Sequence, residues 1–126
     1  MPLPATPRIG PDVQAKKEIA ETLEAYTDAY RSLDLDAIRR VFPGMPPGLT
    51  RQLEDVKSIV TCTLGEVEYI ELNPEAGSAT IDAPWMLVQE MKVGRRQESE
   101  AIARIRMSRP APGAGWRIEA VSHRPK

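Results

Sequence analysis

A single cysteine and a single histidine leave this sequence without the means to build several kinds of site. One cysteine, Cys62, excludes an intrachain disulfide framework. One histidine, His123, excludes a metal centre made from clustered imidazoles, and no metal site is expected. Charge of one sign is also missing. Basic residues number 17 against 18 acidic ones, for a formal net charge of −1. Without a basic footprint, binding to a phosphate backbone is not expected. No run reaches the roughly 18 apolar residues of a membrane span, so membrane insertion is not expected either. A glycine-rich phosphate loop, a Cys-x-x-Cys pair and a Gly-x-Ser-x-Gly elbow are all absent. Nothing in the sequence implies a cofactor.

What remains is ordinary globular material, 41% hydrophobic and 28% charged, in 126 residues. That length suits one domain with one core. The start, Met1-Pro2-Leu3-Pro4-Ala5-Thr6-Pro7, is punctuated by proline and lacks the apolar stretch of a signal peptide. Residues 1–11 therefore read as a proline-rich tail or linker, and residues 12–126 as a single domain. With no export signal in view, the cytoplasm is the default compartment.

Asp12 can cap a helix starting at Val13. Ile19, Leu23, Tyr26, Tyr30 and Leu33 then recur at helical spacing, while Lys17, Glu21, Glu24, Asp28 and Arg31 lie off that stripe. A helix of about 20 residues with one buried face follows from this 3.6-residue repeat. Asp34 or Asp36 caps a second, shorter helix bearing Leu35, Ile38, Val41 and Phe42, closed by Pro43-Gly44. A third short helix is expected over Leu49 to Asp55.

From Val56 the period falls to two. Val60, Cys62 and Leu64 share a face, and Val67 and Tyr69 rejoin it after an inserted residue near Gly65-Glu66, the mark of a β-bulge. Asn73 to Gly77 is a turn. Ala79, Ile81, Ala83, Trp85 and Leu87 alternate along the next strand, with Pro84 pointing to a bulge or an edge. Ala101, Ala103, Ile105 and Met107 form the inner face of a third strand, and Trp116 to Val121 a last one. Helices followed by antiparallel strands define an α+β fold: N-terminal helices, one of them long, packed in a strongly curved sheet of about four strands.

Three segments together resemble the nuclear transport factor 2-like superfamily. They are Tyr26-x-x-Ala29-Tyr30-x-x-Leu33-Asp34-x-Asp36-Ala37-Ile38, the hairpin turning at Gly94, and Gly115-Trp116-Arg117-Ile118-x-x-Val121. The resemblance covers residues 13–123. It implies a cone-like fold with a pocket between helices and sheet, and often a homodimer through the outer face of the sheet. Within the superfamily, Asp36 to Pro43 is similar to accessory domains at the end of some bacterial serine/threonine kinases. The superfamily includes enzymes and non-catalytic binding domains, so the fold does not select a function.

For the pocket, the sequence offers Tyr26, Tyr30, Phe42, Trp85, Met107 and Trp116, which would suit an apolar small molecule. His123 reads as a solvated residue near the end of the chain. An acid–base set of the steroid-isomerase kind would need Tyr26 or Tyr30 as donor and Asp82 as base. Asp82 alternates with Ile81 and Ala83, however, and so belongs on the face away from Trp85 unless a bulge at Pro84 re-aims it. The expected function is thus a non-catalytic ligand-binding or dimerisation module. The alternative is a small isomerase or cyclase acting on an apolar carbonyl compound.

Overall fold

A computed structural model describes residues 11–111 and 114–125. Three helices, α1 (Pro11–Arg31), α2 (Leu35–Val41) and α3 (Pro47–Glu54), precede five strands. The strands are β1 (Val56–Leu64), β2 (Glu68–Asn73), β3 (Ser78–Met91), β4 (Arg96–Ser108) and β5 (Arg117–Arg124). All pairings are antiparallel. The helices pack against a curved sheet that does not close, ordered β1-β3-β4-β5 with β2 also on β3. Of the expected proline-rich tail, all but Pro11 lies outside the described residues.

The stripe read along the first helix is the buried one. Ala15, Ile19, Leu23, Tyr26 and Tyr30 lie in the core. They meet Ala79, Ile81, Trp85 and Leu87 of β3, Ala103, Ile105 and Met107 of β4, and Ile118 of β5. Helix α1 ends where Leu33 takes a left-handed conformation, φ 52°, and Asp34 N–H donates back to the Ala29 carbonyl at 3.1 Å. Of the two candidate caps for α2, Asp34 serves, accepting from the Ala37 N–H. Asp36 instead sits in the first turn, where a carboxylate favours the helix dipole. Cys62 is fully buried, and burial pushes its thiol up to about 12, so it packs as a small hydrophobe.

The sheet has five strands rather than about four. The inserted residue near Gly65 is a break between two strands, not a bulge within one. β1 pairs with β3 from Val56↔Met91 to Leu64↔Trp85, and β2 pairs with it from Glu68↔Asp82 to Asn73↔Ser78. Ala83 and Pro84 fall in the gap. The register of β3 with β4 runs unbroken across Pro84, so the proline makes no bulge on that side. Its missing N–H costs little because the neighbouring edge is interrupted there, and its carbonyl accepts from Gly65 N–H at 2.8 Å. Irregularities at Val56/Ser58 and Ile59/Thr61 (β1), Tyr69/Glu71 (β2) and Arg106/Met107 (β4 with β5) supply the curvature. The irregularity at Ile59/Thr61 also turns Val60 outward, 49% exposed, against its expected inward face.

Candidate functional site

The wide end of the sheet and the three helices enclose a cavity of about 390 Å³. Tyr26 and Tyr30 of α1, Phe42, and Trp85 of β3 form its aromatic wall, with Leu49 and Gln52 of α3 on one side. Ser99 and Ala101 of β4 and Val121 and His123 of β5 complete it. The rings touch edge to face: Tyr26–Tyr30 centroids lie 5.9 Å apart, Tyr30–Trp85 5.3 Å and Tyr26–Phe42 6.4 Å. This geometry matches positive ring edges to negative faces and holds the wall rigid.

Among the described residues, no carboxylate, ammonium or guanidinium lines the cavity. Burial raises the Tyr26 phenol above its ordinary value and pushes Tyr30 up to about 12. Both are therefore protonated donors at neutral pH. Burial also lowers the His123 imidazole, which favours its neutral form. Among the described residues, neither phenol oxygen has a hydrogen-bond partner, and the buried side-chain atom left without one is Gln89 Oε1. The two hydroxyls are thus accessible from the cavity, with their donors available to whatever occupies it.

His123 is exposed, as its place near the end of the chain suggests, but one side of its ring borders the cavity. It pairs with Ala103 across β4, lines the cavity, and keeps an exposed edge toward solvent. Its ring centroid lies 5.7 Å from that of Trp85. Period-two alternation from Val121 carries the signal for this inward placement. The run Arg124-Pro125-Lys126 obscured it by resembling a solvated end.

Of the six expected pocket residues, Tyr26, Tyr30, Phe42 and Trp85 come together, while Met107 and Trp116 do not. Met107 is buried opposite Ala79 and Ile118, six residues along β4 from Ala101, or about 20 Å at ~3.3 Å per residue. Trp116 is buried too, but against the start of α1, where its indole N–H donates to Glu18 and Arg109 lies over its ring. Both are large inward residues, and alternation gives the face of a sheet but not the position along a cone.

Asp82 is separated from the tyrosines. It lies on the outer face, where Arg104 Nε and Nη2 donate to its two oxygens at 2.8 and 2.9 Å and Arg124 Nη2 adds a third bond at 2.9 Å. The carboxylate is covered by these guanidinium arms, not sunk in the core. A bidentate arginine and a second arginine, chiefly the Arg104 hydrogen bonds, hold its pKa down to about 2. A base so weak, facing away from the phenols, cannot complete the Tyr–Asp pair, and that arrangement is excluded. Asp82 instead lines a more open outer groove of about 470 Å³ with Glu66, Glu68, Pro84, Ile102 and Arg124. This groove lacks the aromatic wall of the inner cavity.

The lowered pKa makes Asp82 a contributor to stability under linkage. Its unfolded value is near 3.8 and its folded value about 2, so the unfolded chain takes up the proton first as pH falls. The contribution is complete above about pH 4 and disappears toward pH 2. Asp82→Asn should therefore be less stable than wild type at pH 7, and the difference should shrink steadily between pH 4 and 2. Urea titrations across that range measure it; a constant difference would contradict the assignment.

No family model matches the sequence, and comparison with curated proteins finds no match. Solved structures do. A proposed aromatic ring hydroxylase from Novosphingobium aromaticivorans superposes with a TM-score of 0.69 at 15% identity, covering 89% of this chain and 94% of that one. A proposed dehydratase of the nuclear transport factor 2-like family from Streptomyces avermitilis gives 0.71 at 10% identity, covering 91% and 98%. Bdellovibrio bacteriovorus Bd1075 gives 0.64 at 10% identity, covering 90% of this chain and 42% of that one. The chain has the nuclear transport factor 2-like cone fold. At these identities the likeness shows the fold alone. Among the described residues no helix is long and apolar enough to cross a membrane.

Proposed function

We propose that this domain binds a neutral, largely aromatic small molecule that carries a hydrogen-bond acceptor. One observation carries the reading: two phenol donors without protein partners face an uncharged, aromatic-walled cavity. Its volume falls within the range of small-molecule sites. An uncharged wall penalises an ionised ligand, whose desolvation nothing repays. The two hydroxyls, one helical turn apart, would meet a carbonyl or hydroxyl oxygen.

Titration of the intrinsic fluorescence with 2-acetylnaphthalene, and with the anionic 2-naphthoate as its charged counterpart, tests this. The ketone should bind, and the carboxylate at least tenfold more weakly. Tyr30→Phe should weaken ketone binding about tenfold, the ~1.4 kcal/mol of one hydrogen bond. Equal affinity for ketone and carboxylate, or no binding of either, would overturn the proposal.

We read the role as binding rather than turnover, a reading supported by the lack of a carboxylate among the described lining residues. One observation favours the enzymatic alternative in altered form: neutral His123 shares the cavity with both phenols, so it, not Asp82, would be the base. Loss of turnover on an apolar ketone in His123→Gln, with ketone binding kept, would select that reading.

We also infer a homodimer through the outer face of the sheet, supported by the resemblance and by Met86, 39% exposed on the same face as Pro84 and Ile102. Native mass spectrometry reads both the oligomer and any retained ligand. A role beside a bacterial serine/threonine kinase rests on residues 36–43 alone.

A further inference from the structure

β5 is an edge strand, bonded only to β4, and beyond the buried Ile118 it has no fully buried side chain. Strand ends of this kind fray unless something ties them down. Its final pair is Ile102↔Arg124, one residue past His123, so the imidazole sits near the end of an edge strand. Yet Arg124 does more than close a ladder. Its side chain passes over β4 to the outer face of β3 and donates to Asp82 Oδ2 at 2.9 Å.

We propose that Arg124 is a positioning residue for the cavity: by reaching across β4 to Asp82, it pins the end of β5 to β3 and so sets His123 over Trp85. The inference rests on the reading of the cavity as a binding site. Asp82 and Trp85 belong to the same strand, three residues apart and on opposite faces. The strut on the outside and the imidazole–indole contact on the inside therefore share one base. The base is firm, because Arg104 holds both carboxylate oxygens independently. Adjacent residues of a strand point to opposite faces, so a tie made by Arg124 outside fixes the direction of His123 inside.

Two outer-face variants separate positioning from general stability. Arg124→Gln removes the strut and leaves Asp82 bonded to Arg104, so the fold should survive. Arg104→Gln removes the other partner; although Arg104 lies opposite Ser122 of β5, this variant leaves the Arg124 bond to Asp82 in place. His123 is the only histidine, so its ring resonances are unambiguous in proton NMR. In wild type they should show nuclear Overhauser contacts to the Trp85 indole and a ring-current shift. Arg124→Gln should lose the contacts and most of the shift, and weaken 2-acetylnaphthalene binding at least threefold. Arg124→Lys should restore part of both, while Arg104→Gln should lower the melting temperature yet keep the contacts.

Intact contacts in Arg124→Gln, or equal loss in both glutamine variants, would overturn the proposal. Should wild type bind no ketone, the cavity reading fails, while the NMR contacts still decide what Arg124 does.

Discussion

Trp85→Ala is expected to destabilise the domain by about 4 kcal/mol, the cost typical of deleting a large buried aromatic ring. The indole is 5% exposed and touches three other rings: Tyr30 at 5.3 Å, His123 at 5.7 Å and Tyr26 at 6.1 Å. Its removal would forfeit the transfer energy of the ring and three aromatic contacts together. The space left cannot collapse, since it opens onto a cavity already lined by α1 and α3. Against a whole-domain stability of roughly 5–15 kcal/mol, the variant would be marginal. Urea unfolding measures it as a lowered midpoint with unchanged slope. Trp85→Phe keeps a ring in place and should lose less than half as much. A loss below about 1 kcal/mol for the alanine variant would mean that the aromatic wall is not part of the core.

Gly77→Ala is expected to cost about 3 kcal/mol, large for the addition of one methyl group. Gly77 lies in the turn from β2 to β3 at φ +70°, a conformation that costs an L-residue about 1 kcal/mol or more. A Cβ there would stand 2.3 Å from the Arg109 carbonyl oxygen. That neighbour is backbone and cannot swing aside. It is also tied in, because Arg109 N–H donates to the Gly77 carbonyl at 2.8 Å and its guanidinium to the Pro74 carbonyl at 2.7 Å. Gly94 provides the control. It too has positive φ, +104°, but open space around a built Cβ, so Gly94→Ala should cost only about 1 kcal/mol. Thermal melts should show a fall of roughly 10–15 °C for the first and a few degrees for the second. Similar falls would mean that backbone conformation, not the Arg109 contact, sets the cost.

Much of this architecture is legible in the amino-acid order because local periodicity and burial agree. The spacing of Ile19, Leu23, Tyr26 and Tyr30 gives the buried face of α1, and the alternation from Ala79 to Leu87 gives the inner face of β3. Asp82 could be assigned to the outer face for the same reason. What alternation could not show was partnership across the sheet. The split into β1 and β2 depends on where Leu64 and Glu68 meet β3, and the pairing of Asp82 with Arg124 spans 42 positions. That His123 would be exposed was legible from its polar neighbours, but that its ring also borders the cavity was not, because this depends on its pairing with Ala103 across β4. Met107 and Trp116 have the right faces but the wrong level, and only the curvature of the sheet decides level.

The gap between β1 and β2 has a consequence for how the protein keeps to itself. An open sheet exposes unpaired N–H and C=O groups along its rim, a template on which another chain could lay down a strand. Had the chain run straight through Gly65, one long ladder would flank the 14 residues of β3. Instead the rim is cut into pieces of 9 and 6 residues, each with its own register irregularity. Lys57, Glu66, Glu68 and Glu71 place charges along it. On this side a foreign strand would find only short, irregular runs to zip against, so the interruption guards the β1/β2 edge of an unclosed sheet against edge-to-edge aggregation.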